Sequence, residues 1–329
     1  MKKIIITACL ILAYMVSAAQ DAAATLHLIA AAATNDPDLG ESVSNDLKHT
    51  TDEFKEIAKC LDAEYNEVLI TGEDLCRSKL EKAIQDLEAG ANDIVAFVYC
   101  GHGFRFKDDT DEYPRMLLKH NKKMLLEGDY MSMTEAYNML EAKNARLTLV
   151  FSDCCNSDIG IPRTEVEDDN AFMRRGNNQK RDLDKLRSLF LDQSGSVRAT
   201  AAMPGQKAYC TADGGYLITG LLNNIRASTS MNKDNEPSWN QIITNTNSYV
   251  MKKARLATDG ETDSEAPQVM VRSIKLSNEP EANGIAVMSH PIKSTDSADG
   301  NPAMARTWIA IASGIAAIIA IMLIRRKNK

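Results

Sequence analysis

Short apolar runs alternate with segments of helical spacing along most of the chain, and this alternation limits the fold more than any other feature. The apolar runs have the length of buried strands and lie at 25–33, 67–71, 94–99 and 146–152. The helical segments between them lie at 43–61, 75–87 and 134–142. Strands that alternate with helices predict an α/β fold, with a mostly parallel central sheet and helices on both of its faces.

A charged, irregular segment at 163–194 separates these elements from a second group. That group comprises a strand with a turn-rich loop at 196–215, helices at 216–227 and 238–256, and a last strand at 268–272. The charged segment has the composition of a linker. Its basic residues are Arg163, Arg174, Arg175, Lys180 and Arg181.

Both ends of the chain are apolar. Residues 1–19 have two lysines, an apolar stretch and small residues before Gln20, which predicts a secretory signal peptide; an uncleaved anchor is the alternative. Residues 307–324 predict a C-terminal transmembrane helix, with a buried core helix as the alternative, and the basic tail at 325–329 predicts a cytoplasmic end. The polar segment 273–306 then reads as a stalk.

These ends predict an exported, single-pass membrane protein whose main domain lies outside the cytoplasm, in a bacterial periplasm or at the cell surface. The net charge of −7 and the absence of a long basic stripe argue against nucleic acid as a partner. Seven cysteines occur, one of them in the predicted signal. In an exported protein Cys60 and Cys76 are a candidate pair for a disulfide, although spacing alone does not establish it.

Two of the predicted strands end in residues that can carry catalysis. The stretch "VYCGHGFRF" at 98–106 places His102 between two glycines, and "LVFSDCCNSD" at 149–158 ends in adjacent cysteines. If the two strands are neighbours, His102 and Cys155 lie at the same edge of the sheet, where functional residues of parallel sheets collect. A cysteine nucleophile needs a nearby base, and histidine is the usual one. The backbone N–H of Gly103, unobstructed by a side chain, is a candidate oxyanion donor together with that of Cys155.

Both motifs resemble those of the metacaspases, within the caspase-like cysteine peptidases. Residues 99–103 match that family's Tyr-Ser-Gly-His-Gly, and residues 153–158 match its Asp-x-Cys-His-Ser-Gly. On this match His102 is the base, Cys155 the nucleophile and Cys154 a buried neighbour. The separation of the two catalytic residues, 155 − 102 = 53, is close to the roughly 50 residues of caspases. The resemblance extends to 44–54 and 199–222, so it implies a caspase-like peptidase domain at 24–272.

The resemblance also implies a specificity. Metacaspases line the pocket for the residue before the cut with acidic side chains, and the matching positions are Asp46 and Asp153. Two buried carboxylates would favour protein or peptide substrates with Arg or Lys at that position. For Asp46, a charge near the N-terminus of a helix is the alternative reading. The basic residues of the linker imply self-cleavage, which is compatible with a solvated loop.

The sequence departs from the family at three points. Asn156 replaces the usual His, and Asp158 replaces the usual Gly; a carboxylate there that pointed inward would disfavour the Cys155 thiolate. The acidic residues Asp108, Asp109, Asp111 and Glu112, with those at 165–169, do not reproduce the calcium site of many metacaspases. We therefore expect no metal and no cofactor, with a calcium requirement as the alternative.

Two other functions fit the same residues. A catalytically inactive caspase-like module, tethered to the membrane, would keep the fold and bind a partner. Metal binding by the set Cys100, His102, Cys154 and Cys155 is the other; its spacing fits no usual zinc pattern.

Overall fold

The computed structural model describes residues 23–119, 125–158, 164–165, 180–232, 234, 236–258 and 268–286. The chain divides into two compact units, 1–288 and 289–329, and the second lies outside the described residues, as do the predicted signal peptide, transmembrane helix and basic tail. Within the described part of the chain, no helix is long and apolar enough to cross a membrane.

Thirteen strands and six α-helices occur among the described residues. The strands are β1 (Thr25–Ala32), β2 (Glu64–Thr71), β3 (Ile94–Cys100), β4 (Gly103–Phe104), β5 (Arg115–Leu117), β6 (Tyr130–Ser132), β7 (Leu147–Asp153), β8 (Thr164–Glu165), β9 (Gly195–Thr200), β10 (Tyr209–Thr211), β11 (Gly214–Gly215), β12 (Val271–Leu276) and β13 (Ala282–Ile285). The helices are α1 (Gly40–Leu61), α2 (Arg77–Asp86), α3 (Met133–Glu141), α4 (Leu183–Phe190), α5 (Tyr216–Ser228) and α6 (Trp239–Ala257).

A seven-stranded sheet in the order β13-β12-β9-β7-β3-β1-β2 forms the centre of this unit. The five strands from β9 to β2 run parallel, whereas β12 and β13 join one edge antiparallel. Two three-stranded sheets, β4-β5-β6 and β8-β10-β11, lie outside it. The predicted α/β fold with a mostly parallel central sheet is confirmed.

Both faces of the central sheet are buried. Successive residues of a strand point to opposite sides, so they join two different apolar clusters. In β3, Ala96 and Val98 join one apolar cluster while Val95 and Phe97 join the other. The first cluster includes side chains of α1, α4, α5 and α6, and the second those of α2 and α3. This double burial explains why the central strands read as continuous apolar runs rather than as alternating ones.

The sheet extends beyond the predicted domain end at residue 272. Strand β12 continues to Leu276, and β13 follows inside the segment predicted as a stalk. In the same segment the carboxylate of Glu279 accepts hydrogen bonds from the backbone N–H groups of Trp239 and Asn240, and from side chains of Ser238 and Gln193. A polar composition concealed an edge strand and a helix cap, so the folded unit includes at least residue 286.

The predicted linker is irregular only in part. Its second half contains α4, whose first turn is capped by the Asp182 carboxylate through the backbone N–H groups of Asp184 and Lys185. Leu186 and Phe190 of this helix are fully buried. Elsewhere, Cys60 and Cys76 are free thiols, so the disulfide considered from the sequence is not formed.

Candidate active site

The two motif loops leave neighbouring parallel strands in matching register. Strands β3 and β7 pair along their whole length, with Cys100 opposite Asp153. His102 and Cys155 therefore each stand two residues beyond the same paired position. Backbone hydrogen bonds continue past the strand ends, from Gly101 N–H to the Asp153 carbonyl at 3.3 Å. The prediction that these strands are neighbours, with both residues at one edge, is confirmed.

The backbone of the His102 loop is held by hydrogen bonds to the His102 carbonyl. The His102 carbonyl accepts a hydrogen bond from the Leu117 N–H at 3.0 Å. The Tyr99 hydroxyl lies 2.7 Å from this same carbonyl and 2.7 Å from that of Leu117. Since Tyr99 and His102 are both at most 9 % exposed, the histidine is held by a buried hydroxyl and by the small sheet that contains β5.

The imidazole of His102 is oriented by a carboxylate that sequence reasoning missed. Its Nε2 lies 2.9 Å from Oδ2 of Asp36, a residue that is 6 % exposed. The other carboxylate oxygen, Oδ1, accepts hydrogen bonds from the backbone N–H groups of Asp38 and Leu39. Asp36 follows β1, which pairs with β3, so its position depends on the strand order. The only signal in the sequence was a polar turn, "TNDPD", after an apolar run.

The sulfur of Cys155 lies against residue Ala208. The Ala208 N–H donates to Sγ at 3.3 Å, and the Ala208 carbonyl lies 3.9 Å from the same sulfur. Partial burial, and then the charge of Cys155, raise the pKa of the neighbouring Tyr209 phenol. Cys155 is 1 % exposed. A peptide that reached this sulfur would therefore have to displace part of what covers it.

Gly103 is the point at which the two loops touch. A Cβ at this position would collide with the Cys155 carbonyl oxygen and with the Cys154 sulfur. Cys154 packs into the apolar cluster on the α2–α3 side of the sheet, whereas Cys155 belongs to the opposite cluster. The two adjacent cysteines thus point to different faces, and glycine is required for their loop to approach that of His102.

The two predicted pocket carboxylates meet at the N-terminus of α5. Both oxygens of Asp46 accept from the Gly215 N–H, at 2.9 and 3.0 Å, and Oδ2 of Asp153 accepts from the Ile218 N–H at 3.1 Å. Both aspartates are fully buried. The unpaired N–H groups and the dipole of a helix N-terminus attract negative charge, which accounts for the burial of two carboxylates there.

Asp46 lies at a helix N-terminus, as the alternative reading has it, but that helix is α5 rather than the helix that carries Asp46. Helix α1 begins at Gly40, so Asp46 lies in its second turn, and the helix N-terminus that Asp46 faces is that of α5. Gly214 makes this contact possible. It has a φ of +136°, and a Cβ there would collide with the Asp46 carboxylate.

The two departures from the family motif do not disturb the sulfur. Asn156 is fully buried, and its amide group donates to the carbonyls of Glu112 and Ala202 at 2.8 and 3.1 Å. Its backbone N–H and carbonyl bind Gln206 and Gly205, so Asn156 fastens the loop that carries Ala208. Asp158 is exposed, and therefore it is not an inward carboxylate beside Cys155.

Acidic residues of the 108–112 loop are used within that loop. Asp109 binds the Arg115 guanidinium at 2.5 Å and the Phe106 N–H, and Asp111 accepts from the Tyr113 N–H. In the described part of the chain no group of three or more His, Cys, Asp or Glu side chains is arranged to hold a metal ion.

One of the linker's basic residues is buried in an ion cluster. Arg181 pairs with the fully buried Glu53 of α1, and Glu53 also pairs with Arg226 of α5 at 2.5 Å. Lys180, by contrast, is exposed. Arg163, Arg174 and Arg175 lie outside the described residues.

A family model described as "Caspase domain", of the peptidase family C14, matches residues 37–276, well over half of the 329-residue chain. It covers every predicted site residue and begins directly after Asp36. A comparison with curated proteins found no match.

Proposed function

The chain belongs to the caspase-domain family of cysteine-type peptidases, and from this premise we propose that it is an endopeptidase that cuts after Arg or Lys. Cys155 acts as the nucleophile and His102 as the base. The observation that carries the proposal is the register of β3 and β7, which brings both residues to one edge of the sheet. Gly103 and Cys155 supply backbone N–H groups to the oxyanion.

The choice of Cys155 over Cys154 is supported by their surroundings. The sulfur of Cys155 receives an N–H hydrogen bond from Ala208, an interaction that stabilises a thiolate, while the Cys154 sulfur packs under Gly103 within an apolar cluster.

The Arg or Lys specificity is supported by the meeting of Asp46 and Asp153 at α5. Both carboxylates are fully buried, and an ionised carboxylate can accept a bidentate pair of hydrogen bonds from a guanidinium. A guanidinium entering from the substrate side would find two negative charges in a low-dielectric pocket.

The experiment is a cleavage assay with the full-length protein and fluorogenic peptides that end in Arg, Lys or Asp. Cys155→Ala and Cys154→Ala form a matched pair, since both remove one buried sulfur from adjacent positions. We expect cleavage after Arg and Lys that disappears in Cys155→Ala and persists in Cys154→Ala. If cleavage is lost in Cys154→Ala and persists in Cys155→Ala, Cys154 is the nucleophile.

The second candidate function is an inactive caspase-like module that binds a partner at the membrane. The near-complete burial of Cys155 favours this module, because the sulfur is not accessible to a substrate in this structure. Absence of cleavage of all three peptides, with reductant present and with or without calcium, would decide for this module. Unchanged rates with calcium and with a chelator would agree with the expectation that no metal is needed.

Self-cleavage is proposed at the basic residues before residue 181. The pairing of Arg181 with buried Glu53 keeps that side chain from a protease pocket, whereas Lys180 is exposed. Mass spectrometry of the purified chain should find ends between 163 and 180 that are absent in Cys155→Ala.

The location is likewise a proposal: an exported protein held by residues 307–324, with the peptidase domain outside the cytoplasm. It is supported by the apolar and basic ends of the sequence. An N-terminus at Gln20, together with digestion of the domain by protease added to intact spheroplasts, would agree with it. Protection of the domain would contradict it.

A further inference from the structure

We propose that Asp36 is the third member of the catalytic group, a positioning residue that fixes the ring orientation and tautomer of His102. The proposal rests on the proposed peptidase function of Cys155 and His102. Nothing in the two sequence motifs points to it, because Asp36 lies 66 residues before the histidine on another strand end.

The contact between Asp36 and His102 is buried and is supported by further hydrogen bonds. Asp36 and His102 are both buried, and Oδ2 lies 2.9 Å from Nε2. The carboxylate cannot swing away freely, because Oδ1 is held by the N–H groups of Asp38 and Leu39 at 3.0 and 3.1 Å. One oxygen thus closes the turn after β1, and the other is directed at the imidazole. A hydrogen bond to an ionised group in such surroundings is among the stronger ones in proteins.

This geometry decides which ring nitrogen can exchange a proton with the nucleophile. An ionised carboxylate only accepts hydrogen bonds, so the Nε2 that faces Asp36 carries the proton of the neutral ring. The lone pair is then on Nδ1. In the reaction the S–H bond of Cys155 breaks and its proton passes to Nδ1, which gives a thiolate and an imidazolium.

The later steps use the same nitrogen. The thiolate forms a bond to the substrate carbonyl carbon, the C–N bond breaks, and the leaving amine takes the proton from Nδ1. Water then gives one proton to Nδ1 and its oxygen forms a bond to the thioester carbon. The C–S bond breaks, which releases the carboxyl product and leaves a thiolate, and the proton on Nδ1 returns to the sulfur to restore the thiol. Asp36 stays ionised throughout and stabilises the imidazolium of each step.

The test is Asp36→Asn with Asp38→Asn as its matched control. Asparagine keeps an oxygen for the N–H groups of Asp38 and Leu39, so the turn is retained. Its amide would donate to Nε2, which moves the ring proton to Nδ1 and removes the acceptor for the thiol proton. Asp38 is exposed, lies two residues away and loses the same charge.

We expect kcat of Asp36→Asn to fall about a hundredfold with KM nearly unchanged, since the lost contribution is that of a general base. Asp38→Asn should match the wild type. A kcat within threefold of the wild type for Asp36→Asn, or an equal loss in Asp38→Asn, would overturn the proposal.

A second readout does not need activity. In the protein labelled with 15N-histidine, the signal of His102 is assigned by its loss in His102→Gln. We expect a neutral ring protonated at Nε2 in the wild type and at Nδ1 in Asp36→Asn. If the wild type cleaves no peptide, the peptidase proposal fails but this measurement still decides the role of Asp36. A wild-type ring protonated at Nδ1 would refute it.

Discussion

Neutralising Glu53 is expected to destabilise the domain strongly. Glu53 is fully buried and shares its carboxylate between Arg181, which is 8 % exposed, and Arg226, which is 20 % exposed. Glu53→Gln keeps the volume but removes the buried negative charge that pairs with both guanidinium groups. Breaking a buried ion pair by removing one partner costs about 3–5 kcal/mol, and the partial exposure of Arg226 places the expected loss near about 3 kcal/mol.

Urea unfolding of the purified protein, followed by tryptophan fluorescence, measures this loss. The control is Glu56→Gln, one turn later on α1, where the carboxylate is 53 % exposed and lies 3.8 Å from the Arg181 guanidinium. An exposed pair of this kind contributes at most about 1 kcal/mol. A Glu53→Gln variant within about 1 kcal/mol of the wild type, or an equal loss in both variants, would show that the buried ion cluster does not stabilise the domain in this way.

Three further outcomes are expected. Gly103→Ala should lose most peptidase activity and about 1–3 kcal/mol of stability, because its methyl group would force the two loops apart; wild-type activity in this variant would disprove the loop contact. Asp46→Asn should lower kcat/KM for Arg peptides by about 10- to 100-fold, the worth of a charged hydrogen bond, while alkylation of Cys155 proceeds as before; an unchanged Arg preference would exclude Asp46 from the pocket. Partial burial works to raise the pKa of Glu279, but its hydrogen bonds outweigh this and hold it below the ordinary 4.5. The folded state therefore binds fewer protons than the unfolded state, and stability should fall as the pH drops below about 4.5; Glu279→Gln should show a shallower acid loss.

The sequence predicted the sheet well because the signal was local. A run such as 94–100 is buried on both faces, so each of its residues is apolar, and its length alone separates it from a helix. The same reasoning failed at β13. Only Ala286 just beyond it is fully buried, and the alternate residues of an edge strand can be polar. It failed again at α4, where charged neighbours concealed a spacing of buried Leu186, Leu189 and Phe190.

The sequence could predict those site residues that directly follow predicted strands. His102 and Cys155 follow apolar runs, so the neighbourhood of two strands was enough to bring them together. Asp36 also follows an apolar run, but that run does not reveal which strand it pairs with, and Ala208 lies in a loop. The first depends on the position of β1 beside β3, and the second on a loop fastened by Asn156. Contacts set by strand order or by loop hydrogen bonds over long separations leave no periodic pattern in a sequence.

The N-terminus of α5 links the stability of the domain to its proposed specificity. Asp46 accepts the N–H of the N-cap residue Gly215 and Asp153 accepts that of Ile218 in the first turn, so each caps the helix whether or not a substrate is bound. A bound guanidinium would pair with negative charge that the helix N-terminus already holds in place. Loss of either carboxylate should therefore weaken the helix and the pocket together. The two effects separate by substrate: a helix defect lowers the rate for Arg and Lys peptides alike, whereas loss of bidentate pairing falls mainly on Arg.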